Sequence, residues 1–426
     1  MFGVDEAMIV YEFVLAWGKV GFGRGEFHGP TGVAVDLQGN VYVADTANAR
    51  VLLFDGNGKP LSGLGCPNAV NFTCPGGSGQ GQFDNPWGVA VDSSGYVYVT
   101  DSVNNRVQKF DVNGNFVSAW GCPNAATQRC PWGWGPGQFG DPLGIAVDSA
   151  GNMYVADRAN YRVQKIDQNT GSITQWGGSY GSGADQFGGA GPGGIAVDPS
   201  GKYVYVTDPS NNRVKKYSNS GQLLSALGCP NALNQACNPG SGPGQLNNPI
   251  GVTVDSSGNV YVADSGNNRI QKFDSAENPL TQWGSYGSGP GQFNYPEGVA
   301  VDSSGNVYVN DLQNNRVQKF KPITRKVPFT IIPAEKVMRV VQGQSSTMTI
   351  TVSLISGTPD PVQLSVTGLP NGATATLSSN PVTPTATTTL KISASYNTQA
   401  GQYYTLTISG TSGGITETAT ISLWVD

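Results

Sequence analysis

Apolar and polar residues alternate with a period of two in short runs along most of the chain, and the runs break at Gly, Asn, Asp or Pro. That is the pattern of half-buried strands joined by tight turns. From Gly298, Gly-Val-Ala-Val is short, small and β-branched, which predicts an inner strand in a crowded position. Asp-Ser-Ser-Gly-Asn reads as a turn, with Asp302 as its cap and Gly305 supplying a positive φ. Val307-Tyr-Val predicts a second strand, Asn314-Asn-Arg the next turn, and Val317-Gln-Lys-Phe a third strand. Elsewhere a fourth strand ends in Trp-Gly or Leu-Gly, at Leu64, Trp120, Trp176, Leu227 and Trp283.

The same string opens at Gly32, Gly88, Gly144, Gly194, Gly251 and Gly298, and its first Asp falls at 36, 92, 148, 198, 255 and 302. Five copies have one length, the fourth gains a residue near Lys202, and the remaining variation lies between copies, where loops tolerate it. Four antiparallel strands repeated radially make a β-propeller, here of six blades. The sixth copy stops at Phe320 and Lys321 without a fourth strand. The stretch from Tyr11 to Gly18 (YEFVLAWG) matches the missing piece, so the N-terminus is expected to close the ring and leave no open edge.

These strings resemble the NHL family of propellers, whose signature runs P-x-G-[VI]-A-V-D, then G-[NY]-x-[YV]-V-x-D, then N-x-R-[VI]-x-x-[FY]. The resemblance covers residues 11–321 and implies the fold far more strongly than the task, because NHL propellers include enzymes, RNA binders and extracellular adhesion or sensor modules.

Composition agrees with an all-β protein. The 426 residues include 59 Gly and 27 Pro, and only 12% are charged, too few to clothe long surface helices. No run of 18 apolar residues exists, so no membrane-spanning helix is expected. A formal charge of −5 and only 24 Lys and Arg, six of them the repeated Arg, speak against a nucleic-acid face. The domains read as a propeller over 1–321, a basic linker over 322–328 (PITRKVP), and a unit over 329–426. The last is rich in Thr and Ser and alternates through about seven strands, the size of an immunoglobulin-like β-sandwich. It resembles the Ig-like modules of prokaryotic surface and secreted proteins.

Six cysteines form three look-alike pairs, Cys66 with Cys74, Cys122 with Cys130 and Cys229 with Cys237, each eight apart in a loop after a fourth strand. C-x-x-C clusters are missing, so local disulfides are expected rather than zinc sites, and with them an extracellular or cell-surface address. The start MFGVDEAMIVYEF lacks the basic end and clean apolar run of a signal peptide, which is expected to have been removed.

Asp45, Asp101, Asp157, Asp208, Asp264 and Asp311, each five residues before an Arg, recur in every copy and read as scaffold. Chemistry should lie where the symmetry breaks. The position before the glycine that opens each inner strand varies: Thr31, Trp87, Leu143, Gly193, Ile250 and Glu297. These six are expected to ring one mouth of the central channel. Glu297 is the only acid among them, and Asn310 replaces the Ala or Thr of other copies. Gluconolactonase-like and paraoxonase-like propellers hold calcium at such a mouth with carboxylate and Asn oxygens, so Glu297 and Asn310 are the metal candidates of a hydrolase or lactonase reading. Histidine-dependent mechanisms, including those of amidating lyases and virginiamycin lyases, have only His28 to draw on. The variable loops instead carry Trp132, Trp134, Tyr180, Tyr286, Phe22 and Phe72 among Gly, Ser and Asn, which suits contact with a glycan or protein. The leading expectation is therefore a secreted or surface binding module needing no cofactor, with Trp87, Trp132, Trp134, Thr31 and Glu297 facing its ligand. The alternative is a calcium-dependent ester or lactone hydrolase.

Overall fold

The structure, a computed structural model, describes residues 7–229, 233, 235–326, 329–354, 361–412 and 415–426. The chain divides into two compact units, Val10–Ile323 and a second made of Met1–Ile9 with Thr324–Asp426. The first is built of repeated four-stranded antiparallel sheets, over residues 30–64, 86–120, 142–177, 195–227 and 249–283. A further sheet combines Pro296–Val301, Val307–Asp311 and Arg316–Lys326 with Ala7–Trp17 as its outer member. Such repetition of twisted sheets around an axis is a β-propeller.

Two devices hold the sheets in a ring. The first is steric. A Cβ added to Gly32, Gly88, Gly144, Gly194, Gly251 or Gly298 would collide with the carbonyl oxygen of Trp87, Leu143, Gly193, Ile250, Glu297 or Thr31, respectively. Each glycine thus abuts the next inner strand, and the sixth abuts the first. Only glycine permits backbones to approach this closely.

The second device is the buried Asp–Arg pair. Arg50 Nε donates to Asp45 Oδ2 at 2.7 Å, and both side chains are fully buried. Its terminal nitrogens donate to the carbonyls of Phe22, Gly23 and Glu26 in the loop entering its sheet, and of Ala69 and Phe72 in the loop leaving it. Arg106 repeats the pattern on Ser78, Gly79, Gln82, Ala125 and Gln128. A guanidinium has enough donors in fixed directions to knit two loops at once, which an ammonium does not. The other Asp oxygen in the first sheet accepts from the backbone N–H of His28, fixing where the incoming loop bends.

The position two residues after each Arg is Gln in four copies, Leu52 in the first and Lys215 in the fourth. Gln108, Gln164, Gln271 and Gln318 each donate to a loop carbonyl and to the scaffold Asp, and each accepts from a loop glycine N–H. The fourth sheet has Lys215 there, fully buried, donating to the carbonyls of Ala184 and Gln186 and lying 4.4 Å from the centre of the Phe187 ring. Burial, helped by Arg213, pulls its ammonium down to about 7, against the opposing charges of Asp208 and Asp185. The unfolded chain therefore binds a proton that the folded one resists between about pH 7 and the ordinary lysine value near 10.5, so this residue makes stability rise with pH across that window. Lys215→Gln should remove that slope and stabilise the fold by about 1–3 kcal/mol at pH 6. Chemical denaturation of both proteins at pH 6 and pH 9.5 checks it, and an equal difference at the two values contradicts it.

The strand Arg316–Lys326 runs on through most of the stretch expected to be a linker over 322–328, because the sheet order gives it the N-terminal strand as a neighbour; residues 327 and 328 lie outside the described residues. In the C-terminal unit two four-stranded sheets share one apolar core, including Ile350, Val352, Leu390, Ile392, Leu406, Ile408 and Leu423. Their strands alternate buried and exposed residues, as Ser345–Leu354 shows, so each sheet wets one face and buries the other.

Candidate functional site

The cyclic glycine contacts place Thr31, Trp87, Leu143, Gly193, Ile250 and Glu297 at one level around the axis. The same face carries the loops entering each sheet and the turns between second and third strands. Thr46, Ser102 and Ser265, which begin such turns, donate hydroxyl hydrogens to the carbonyls of Pro86, Pro142 and Pro296 at the start of the next inner strand. Trp87, Leu143, Ile250 and Glu297 are half-buried, while Thr31 and Gly193 are buried.

Thr31 does not present its hydroxyl to the channel. Its Oγ1 lies 2.7 Å from Thr46 Oγ1 and donates to the Trp87 carbonyl at 2.9 Å. Asn310 is fully buried, and its amide nitrogen donates to the carbonyls of Thr31 and Gly32, both at 2.9 Å. That is a bridge between sheets, the task of Thr100 and Thr207, whose hydroxyls donate to Leu143 and Ile250. Asn310 Oδ1 is left without a hydrogen-bond partner among the described residues.

Glu297 is the second orphan. Its Oε2 is sealed from solvent and has no partner among the described residues. Burial alone pushes its carboxyl up to about 7. Glu297 and Gly298 form the bulge of their strand, between the paired positions Pro296 and Val299, and so lie opposite Asn310 in the partner strand. Sequence reasoning missed Tyr295. It holds a φ of 60° in the slot before the proline, where other copies use Gly29, Asn85, Asp141 and Asn248. Asn248 donates to its hydroxyl, and burial, followed by the Glu297 charge, raises its phenol. The signal was present as a bulky residue at a position that suits glycine, Asn or Asp.

These groups do not make a calcium site. The ion takes 6–8 oxygens, and the mouth offers one carboxylate and one free amide oxygen beside a hydroxyl already engaged. No group of three or more His, Cys, Asp or Glu able to hold a metal exists among the described residues.

A second cluster lies outside the channel. Trp132 and Trp134 are 58% and 57% exposed, their rings 5.9 Å apart and tilted by 35°. The indole N–H of Trp132 donates to Asn160 Oδ1 at 2.7 Å, and the Trp134 carbonyl accepts from Arg162. Phe22, Phe72, Tyr180 and Tyr286 are also exposed, each in a loop between sheets. Among the described residues no ring contact joins Trp87 to Trp132 or Trp134. The disulfides Cys66–Cys74, Cys122–Cys130 and Cys229–Cys237 close three of these loops. Sequence reasoning also passed over the string that begins each sheet, GRGEF at 23–27 and GQGQF at 79–83 among them. Its Gln or Glu accepts from the glycine N–H three residues earlier, as Gln82 does from Gly79, and tightens the loop beneath the exposed ring.

The chain carries NHL repeats: the family model described as NHL repeat matches residues 27–54, 83–110, 139–166, 246–273 and 293–320. It is 32% identical over 209 residues to NHL repeat-containing protein 3 of Mus musculus, covering 47% of this chain and 53% of that one. It is 35% identical over 153 residues to peptidylglycine alpha-amidating monooxygenase of Rattus norvegicus, 35% of this chain and 14% of that one. The chain thus spans about half or less of these curated relatives. Among solved structures, a gluconolactonase of Xanthomonas campestris superposes with a TM-score of 0.48 at 12% identity, over 76% of this chain and 99% of the other.

Proposed function

We propose that this chain is an extracellular or cell-surface binding module, a six-bladed propeller that engages a glycan, peptide or protein ligand through an aromatic rim. The C-terminal unit serves it as an immunoglobulin-like spacer. The observation that carries this reading is the rim itself: large rings stand in water on loops whose carbonyls are clamped by buried guanidinium groups, as with Phe22, Phe72 and Trp134. Rings held this way give up little freedom on binding, which favours contact over mere exposure. Three disulfides in the same class of loop add stiffness and suit an oxidising compartment.

The alternative, a calcium-dependent ester or lactone hydrolase, draws on Glu297 and Asn310, which offer one carboxylate and one amide oxygen against the 6–8 oxygens the ion takes. An amidating-lyase reading, which the relatives bring to mind, has His28 as its single histidine. Both fit the residues less well than binding does.

Affinity electrophoresis against a panel of neutral and charged polysaccharides, with a parallel cell-surface binding assay, tests the module. The wild-type chain should be retarded by at least one polymer or retained on a surface. Trp132→Ala/Trp134→Ala should weaken that by about tenfold or more at unchanged melting temperature, given about 1 kcal/mol or more for each stacked ring. Retention that survives the double substitution moves the ligand away from these rings.

A further inference from the structure

We propose that the channel mouth binds a primary ammonium group, seated between Glu297 and Asn310 and beside Trp87. The inference uses none of the rings of the aromatic rim.

Two acceptor oxygens, Glu297 Oε2 and Asn310 Oδ1, are buried and unpartnered among the described residues. They belong to opposed positions of one strand pair, Glu297 in the bulge and Asn310 across from it. Unsatisfied buried polar atoms are rare in folded proteins, and two on facing positions of one strand pair call for an explanation. The amide nitrogen of Asn310 is taken up by Thr31 and Gly32, which fixes its oxygen as the free end. Thr31 cannot serve as the donor, because its hydroxyl is engaged with Thr46 and the Trp87 carbonyl. Glu297 enters no ion pair among the described residues, and its Oε2 accepts no hydrogen bond there.

The missing partner must therefore bring several hydrogens and a positive charge. A primary ammonium has three donors and no acceptor, which matches the two orphan oxygens once Glu297 is ionised, above about pH 7. Its alkyl stem would meet the half-buried Trp87, Leu143 and Ile250 of the same ring. Tyr295, whose hydroxyl accepts from Asn248, lies within reach of the Glu297 charge. Lysine side chains, peptide N-termini and small alkylamines share this chemistry.

The experiment titrates the full chain with n-butylammonium, butyltrimethylammonium and 1-butanol, followed by calorimetry and tryptophan fluorescence. Butylammonium should bind saturably and about tenfold or more tighter than either other probe, because charge-assisted hydrogen bonds to the two orphan oxygens are open to it alone. Glu297→Gln should weaken it by about tenfold or more. Equal binding of the trimethyl probe would show that the acceptors are not used. Absence of saturation, or retention in Glu297→Gln, would overturn the site, and so would displacement of butylammonium by micromolar calcium. The three-probe series on the unaltered protein decides the matter even if Glu297→Gln fails to fold.

Discussion

Removing residues 1–18 is expected to turn a cooperatively folded chain into an aggregating one. The N-terminal strand Ala7–Trp17 is the outer member of the last sheet, and over Tyr11–Trp17 its odd-numbered residues point inward. Tyr11 stacks on Trp283 at 4.3 Å and meets the Tyr261 hydroxyl at 2.7 Å, contacts made to the preceding sheet. Trp17 packs on Phe54 of the first sheet and Tyr308 of the last. The strand therefore stitches three sheets together. Losing these rings and the half-buried Phe13 costs on the order of 5 kcal/mol, at roughly 1.5–3 kcal/mol for each large side chain fully buried. The truncation also bares the edge of Arg316–Lys326, a template for pairing with another chain. Thermal unfolding with light scattering reads both effects. A melting curve like that of the full chain would mean that the ring closes by other means.

Arg50→Ala should be nearly as damaging through a different route. The substitution leaves Asp45 buried without its counter-ion and takes the donor from five carbonyls in two loops. Breaking a buried pair from one side costs about 3–5 kcal/mol. Arg50→Lys should recover only part of this, since a point charge cannot serve both loops. Arg158→Ala is the matched control: its pair with Asp141 is 44% and 39% exposed, and its loss should cost less than about 1 kcal/mol. Denaturant titration ranks the three. Hydrogen exchange should quicken over residues 19–26 and 66–74 in Arg50→Ala, where Phe22 and Phe72 lose their anchor. Similar losses in the alanine variants at 50 and 158 would remove the clamp from the explanation of the rim.

Much of the architecture was legible because it is written six times. Alternation, turn residues and the Asp–Arg spacing are local, and each copy corroborates the others. The displaced fourth strand was legible too, because its string matched those of other copies. The candidate site was less so, since its logic runs between residues far apart in the chain. Asn310 read as a metal ligand because it differs from Ala and Thr. Its amide nitrogen has its partners at Thr31 and Gly32, on the far side of the closing seam, a bridging role that the letters did not show. Thr31 read as a channel residue, and its hydroxyl donates to the Trp87 carbonyl of the next sheet. Tyr295 escaped notice because its departure is in backbone angle, which letters express only as a residue out of place.

The glycine contacts have a thermodynamic consequence. In a stacked open array the terminal units have one neighbour each, so unravelling begins there and moves inward. Here the sixth glycine meets the first inner strand, and Asn315 accepts from the N–H of Gly29, 286 residues away in sequence. Every sheet therefore has two neighbours, and no unit is a weak terminus from which fraying can spread. Opening any one seam should release the whole circle in a single transition, and a circular permutant that starts in another loop should melt as one body, provided that its new first strand completes the last sheet.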